Sequence, residues 1–290
     1  MKTLFTLADH LHPIDLNHPT ADLSLAVDGT ARAWYIDGPR FTPVVLGDWV
    51  GSVAQGGSVN FFDVHFNPHA HGTHTETAGH ITRERHSINE HFHEPITWAA
   101  LLRIAPKDGK VTFEDFKLAW DALPEEAMDD LKSVIISSET FSTLARGTSE
   151  PPARFVQSEG GHASAAPSKE QLPSNDGRPN EVQSPKNRLY SSTDWPYLEP
   201  EIGEWLYKAG IVHLLVDQPS VDREEDGGAL ACHRAFWGPE PERQLHRTIS
   251  ELLFVPEELP TGIYLLHLQV APIENDAAPS RPLVFGPVLS

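Results

Sequence analysis

The stretch NPHAHGTHTETAGHI, residues 67–81, places four histidines, His69, His71, His74 and His80, around one carboxylate, Glu76. His74 and Glu76 are two residues apart, so in an extended segment both side chains leave on one face. An imidazole beside a carboxylate is a strong ligand pair for zinc or manganese. Gly72 lets the backbone bend just before the pair, so His69 can swing round to the same centre. His80 follows Glu76 across another glycine and can face that centre without binding it. A histidine so placed suits general acid or base work. Sixteen histidines in one chain make a chance cluster the competing reading, but the orderly Gly-Thr-His-Thr-Glu spacing favours a metal site.

The rest of the chain narrows what such a site can serve. Forty-one acidic against twenty-two basic side chains give a net charge of -19. That field repels a phosphate backbone, which argues against a nucleic-acid partner, and it concentrates divalent cations. Cys232 is the only cysteine, so intrachain disulfides and Cys-rich zinc knuckles are excluded, and His and carboxylate must hold any metal. No apolar run is long enough to span a membrane. In the opening MKTLFTLADHLHPIDL, Asp9 and His10 interrupt the apolar run before a signal-peptide core forms. The expectation is a cytoplasmic chain with no membrane partner.

Length and patterning point to a mixed α/β chain. LSLAVDGTARAWYI (residues 23–36) reads as two short strands around an Asp28-Gly29 turn, and residues 44–66 as further strands broken by Gly56-Gly57. WAALLRIAP (98–106) fits strand or buried helix. Residues 113–133 have helical spacing and lead into the β-rich VIISS. Residues 147–187 are rich in Pro, Ser, Gly and Asn, too poor in aliphatics to offset their own ordering entropy. They read as an inserted loop within one domain spanning 1–290, because candidate site residues lie on both sides. Beyond them come a helix opening at Pro200, a strand in VHLLVDQPSVD (212–222), a short helix in ALACHRAFWG (229–238), and a β-rich end in TISELLFV, GIYLLHLQVAP and RPLVF.

GTHTETAGH resembles the His-x-Gly-Thr-His-x-Asp-x-Pro-x-His signature of the cyclase-like metal-dependent hydrolases, which include bacterial kynurenine formamidase and isatin hydrolase. VDQPSVD (216–222) is similar to that family's Asp-x-Pro-Ser-Val/Ile-Asp segment, and DAAPSRPLVF (276–285) resembles its final strand. The resemblance implies a cyclase-like swivelling β/β/α barrel. It implies His74, Glu76, His233 and Glu251 as ligands of one or two zinc or manganese ions, and His80 as the catalytic acid/base. The implied reaction is attack of a metal-bound hydroxide on the carbonyl of a small amide, with N-formyl aromatic amides as leading substrates and a homo-oligomer as the assembly. Ring opening of a cyclic amide or lactone is the nearest alternative, and a non-catalytic metal or small-ligand binding module is the other.

The sequence departs from the signature at three places. The family histidine two before Gly72 is Ala70, for which His69 is the substitute and His71 the alternative; the aspartate is Glu76; the proline is Ala78. Asp222 reads either as a partner orienting a ligand histidine or as a turn residue. His86, His91 and His93 can bind adventitious metal, but they lack a comparable carboxylate spacing and read as surface residues with at most one pocket member. Trp34, Trp49, Phe61, Phe62, Phe236 and Trp237 read chiefly as core, with an aromatic substrate wall as the alternative. Cys232 reads as buried filling.

Overall fold

The computed structural model describes residues 2–138 and 188–289; the expected insertion at 147–187 lies outside them. Strands β1 (Ala21–Asp22), β2 (His74–Thr77), β3 (Ile96–Arg103), β4 (Leu131–Ser137), β5 (His213–Val216), β6 (Thr248–Glu251), β7 (Gly262–Val270) and β8 (Ala277–Leu289) share one sheet. Their order is β7-β3-β4-β5-β6-β2-β8-β1, and a further β7–β8 pairing closes the first seven into a barrel. The runs ITWAALLR, LKSVIIS and HLLV are buried at nearly every position. Such runs suit strands covered on both faces, and β3, β4, β5 and β6 pair in parallel. The segment beginning at Trp98 is therefore strand, not helix.

Helices α1 (Pro68–His71), α2 (Phe113–Asp121), α3 (Pro200–Lys208) and α4 (Ala231–Trp237) lie among these strands in the chain. Phe116 and Trp120 of α2, Ile202 and Leu206 of α3, and Phe236 and Trp237 of α4 pack in one cluster with Ala100, Leu102, Val134, Ile136, Leu214, Val216 and Ile249. Their strand neighbours Ala99, Leu101, Ile135 and Leu215 join Tyr264 and Leu266 in a second cluster. The helices therefore cover the outer wall and the second cluster fills the interior, a division the two-residue strand period enforces. Each large apolar side chain so buried contributes about 1.5–3 kcal/mol.

Two features place α4 over the site. A Cβ on Gly203 of α3 would lie 2.8 Å from the carbonyl oxygen of Cys232, so only glycine lets the helices approach this closely. The Asp222 carboxylate accepts from the backbone N–H groups of Cys232 and His233 at 2.8 and 3.2 Å, satisfying the orphan donors at the start of α4.

The hairpin expected around Asp28-Gly29 does not form. The turn exists, with Asp28 accepting from Thr30 N–H at 2.8 Å. Its flanks, however, pair elsewhere: Ser24 with Leu253 in a single bridge, and Ala31–Arg32 with Arg188–Leu189. A local turn sets chain reversal but not the partner, and long-range partners took both segments. Residues 44–66 do contain strands, but only as small ladders: Arg40–Pro43 with Phe62–His65 and Val45–Leu46 with Trp49–Val50. Phe61 and Phe62, read as core, are 57% and 41% exposed there. Phe236 and Trp237 are core as expected. Among the described residues no helix is long and apolar enough to cross a membrane.

Candidate metal centre

β2 lies between β6 and β8, with His74 opposite Glu251 and Glu76 opposite Ile249. Directly opposed residues share a face, and Ile249 belongs to the helix-side cluster. His74, Glu76 and Glu251 thus stand on the outer wall, beneath α4. The alternate residues Thr75 and Ser250 bond each other at 2.7 Å toward the interior. The expected parity of His74 and Glu76 is what the strand delivers.

His233 reaches down from α4. Its Nε2 lies 3.0 Å from Glu76 Oε1 and 3.6 Å from Glu251 Oε1, and its Nδ1 lies 2.6 Å from Asp222 Oδ2. Asp222 is therefore an orienting partner as well as a cap. Glu251 Oε1 accepts from Val221 N–H at 3.0 Å, and Leu252 turns the chain away from the strand at φ 57°. A non-glycine residue held there is strained, and such strain concentrates at functional sites.

His69 stands on α1, whose Asn67 side chain caps it by accepting from the His69 N–H at 2.9 Å. Gly72 contributes through close approach, since a Cβ there would lie 2.8 Å from the Leu25 carbonyl oxygen. The His69 ring sits between two carboxylates: Nδ1 is 3.0 Å from Glu76 Oε2 and Nε2 is 2.9 Å from Asp276 Oδ2. His71 faces away. Its Nδ1 accepts from Asn67 N–H at 2.9 Å and its Nε2 donates to the Asp37 carbonyl at 2.7 Å. Both its nitrogens are committed to holding loops, so it is not drawn into the cluster.

His80 ends a short turn capped by Thr77. Its Nδ1 lies 3.1 Å from Asp276 Oδ2 and 3.7 Å from Glu76 Oε2. Its side chain is 31% exposed, whereas those of His74, Glu76, His233 and Glu251 are at most 4% exposed. Asp276 thus touches both His69 and His80, a role the sequence reading did not assign. The only signal was its place at the head of the final-strand stretch.

The donor set suits a cation. His74 Nδ1 lies 3.2 Å from the Gly72 carbonyl oxygen, so that nitrogen carries the proton and Nε2 carries a lone pair. Nε2 is fully buried without a hydrogen bond, 3.5 Å from Glu251 Oε2. Two lone-pair atoms facing each other in a dry pocket call for a positive charge between them. Glu76 Oε2 is likewise buried without a well-formed hydrogen bond. Ligand atoms of His69, His74 and Glu76 lie within 4.8 Å of one another, as do those of Glu76, His80 and His233, and those of His69, His80 and Asp276.

The electrostatics agree. Burial opposes charge on His69, yet its hydrogen bond to Asp276 and the close Glu76 carboxylate lift its pKa to about 10. Burial likewise opposes charge on His233, which Asp222 and Glu76 lift to about 10. Against its own burial, Glu76 is held well below the usual carboxylate range by His80, His233 and His69. Four carboxylates, Glu76, Asp222, Glu251 and Asp276, hold positive charge in this site, as protons on imidazoles or as a metal ion. Burial pushes the Cys232 thiol well up, consistent with inert filling.

Comparison with known proteins identifies the family and the fold. The sequence family described as "Putative cyclase" matches residues 14–223; His233 and Glu251 lie beyond the matched span. No curated protein matches the chain. Among solved structures, a novel cyclase is similar at 12% identity and TM-score 0.58, covering 94% of this chain and 90% of its own. Isatin hydrolase A from Labrenzia aggregata, bound to benzyl benzoate, is similar at 13% identity and TM-score 0.55, with 92% and 93% covered. A predicted metal-dependent hydrolase from Bacillus stearothermophilus is similar at 13% identity and TM-score 0.53, with 91% and 97% covered. These likenesses concern the fold, while the sequence match spans most of the chain. The chain belongs to the cyclase family.

Proposed function

We propose that this protein is a metal-dependent hydrolase of a small amide, with N-formyl aromatic amides as the leading substrates. The observation that carries the reading is the pairing of a buried donor cluster with a half-open histidine beside it. His74, Glu76, His233 and Glu251, with His69, are the residues that would hold one or two zinc or manganese ions. A bound divalent ion supplies Lewis acidity, lowering the pKa of water toward about 7 and drawing charge from a carbonyl oxygen.

The chain's own residues supply the proton transfers. Asp276 accepts from His80 Nδ1, which fixes the tautomer and leaves Nε2 as the atom that exchanges protons. Among the described residues no hydrogen bond engages that Nε2 atom. In hydrolysis the oxygen of water bonds to the carbonyl carbon and the C–N bond breaks. His80 Nε2 takes a proton from the water and returns it to the leaving nitrogen. Asp222 holds the His233 ring and Val221 N–H holds the Glu251 carboxylate, so both keep their direction through the cycle.

Ring opening of a cyclic amide or lactone uses the same groups. The likeness to isatin hydrolases favours including it. Metal analysis of the purified protein, then a screen of formamides, cyclic amides and lactones, tests the proposal. Turnover of a formamide is expected. A metal-loaded protein that hydrolyses none of the three classes contradicts it and leaves the non-catalytic binding module.

We also propose that the protein pairs with a second copy of itself. Residues 40–65 expose Phe41, Val45, Leu46, Val53, Val59, Phe61, Phe62 and Val64, each more than 40% accessible. Exposed apolar side chains gathered on one segment mark an interaction surface. A monomer by light scattering, at the concentrations used for assay, contradicts it.

A further inference from the structure

A second group of histidines stands apart from the centre above. His86 and His91 bracket the one-turn helix Ile88–His91, which Ser87 caps by accepting from Asn89 N–H at 3.1 Å. The cap and the turn bring His86 Nδ1 to 3.4 Å from His91 Nε2, with ring centroids 5.3 Å apart and planes at 60°. As a hydrogen bond this separation is long and weak. It is, however, the spacing of two ligands on one ion: nitrogens bound at about 2.0–2.1 Å to a tetrahedral zinc sit about 3.4 Å apart.

No third donor already lies within 4.8 Å of both nitrogens among the described residues, but one can reach them by rotation. Glu90 Oε2 lies 3.8 Å from His91 Nε2, on a side chain 69% exposed and free to swing toward the pair. The electrostatics favour a neutral imidazole at His91. Burial, and the neighbouring His86 and His93, outweigh Glu90 and hold His91 below the usual histidine range. Burial and Arg247, with His93 and His91, do the same for His246. A lone pair on His91 is therefore available at neutral pH, within a strongly acidic chain.

We propose that His86 and His91 hold a zinc-type divalent cation at a second site, with Glu90 as the third protein ligand. The site borders the first without sharing a ligand. A Cβ on Gly79 would lie 2.2 Å from the His86 carbonyl oxygen, so the chain carrying the pair lies directly on the turn that ends in His80. The inference does not depend on the proposed hydrolysis.

The test is equilibrium dialysis of the full-length, metal-loaded protein against rising zinc, with bound zinc counted by mass spectrometry. Wild type is expected to take up one further equivalent in a weaker class than the first centre. H86A/H91A should lose that class while keeping the tight one, and E90Q should weaken it about tenfold. H93A/H246A should retain it. Should the alanine pair fail to fold, H86Q/H91Q keeps bulk and polarity and serves in its place. A weaker class of undiminished stoichiometry and affinity in the His86/His91 double variant overturns the proposal. So does its loss in H93A/H246A alone.

Discussion

Asp276 is the residue whose removal separates positioning from metal binding. One of its oxygens contacts His69 Nε2 at 2.9 Å and His80 Nδ1 at 3.1 Å. Against its own burial, His69 and His80 hold its pKa below the usual carboxylate range. A hydrogen bond to a charged group is worth about 1.5–3 kcal/mol. The Asp276 side chain is 24% exposed, so solvent screening favours the lower end. Asp276→Asn keeps the shape and removes the charge. If the His80 contact, about 1.5 kcal/mol, is expressed in proton transfer, kcat falls about tenfold, since 1.36 kcal/mol is a factor of ten. KM should change little, because the carboxylate orients a proton carrier and does not hold substrate. Metal content should be unchanged, and Asp276→Glu should recover part of the rate. The assay is kcat and KM on the best substrate of the amide and lactone panel, beside metal analysis of the same preparation. An unaltered kcat refutes the positioning role. A parallel loss of metal refutes it differently, by making Asp276 a ligand.

Three further outcomes follow from the same geometry. His74→Ala and Glu251→Ala should each lower metal occupancy, since each removes one of the two facing lone-pair atoms; full stoichiometry in both removes the paired centre. Gly203→Val should cost about 1–3 kcal/mol in denaturant unfolding by overpacking the α3–α4 contact, and should reduce metal content by displacing His233; wild-type stability shows that the contact relaxes freely. In chelator-treated protein, His69 and His233 have folded pKa values raised above the ordinary histidine value of about 6.5. Their stabilisation is therefore fully present below pH 6.5 and is lost as pH rises through about 10. Denaturant midpoints should fall over that window, and His233→Gln should flatten the slope. A midpoint independent of pH across it contradicts the assigned charge balance.

What could be read from the residues was whatever is local or periodic. The two-residue spacing of His74 and Glu76 requires only a strand, and β2 is one. VIISS and VHLLV showed as strands, the run from Trp98 left strand and buried helix open, and α3 showed by its amphipathic spacing behind Pro200. The failures involve partners distant in sequence. Asp28 builds its turn as expected, yet its flanks pair with Leu253 and with Arg188–Leu189, and no local signal names those partners. Asp276 lies 196 residues from His80, so only the closed sheet brings them together. Gly72 was read as a hinge, whereas its function is close packing on Leu25, which depends on a neighbour the local sequence does not show. The aromatic residues of the 40–65 arm look like core by type, and only the topology leaves them facing outward.

The central claim is that His80 moves the proton while the buried set beside it holds the metal. His80→Ala, measured for metal content and for hydrolysis in one preparation, tests it most directly. Wild-type metal stoichiometry is expected, with turnover reduced by about 10²–10⁴-fold. Normal turnover by this variant, or loss of its metal, contradicts the claim.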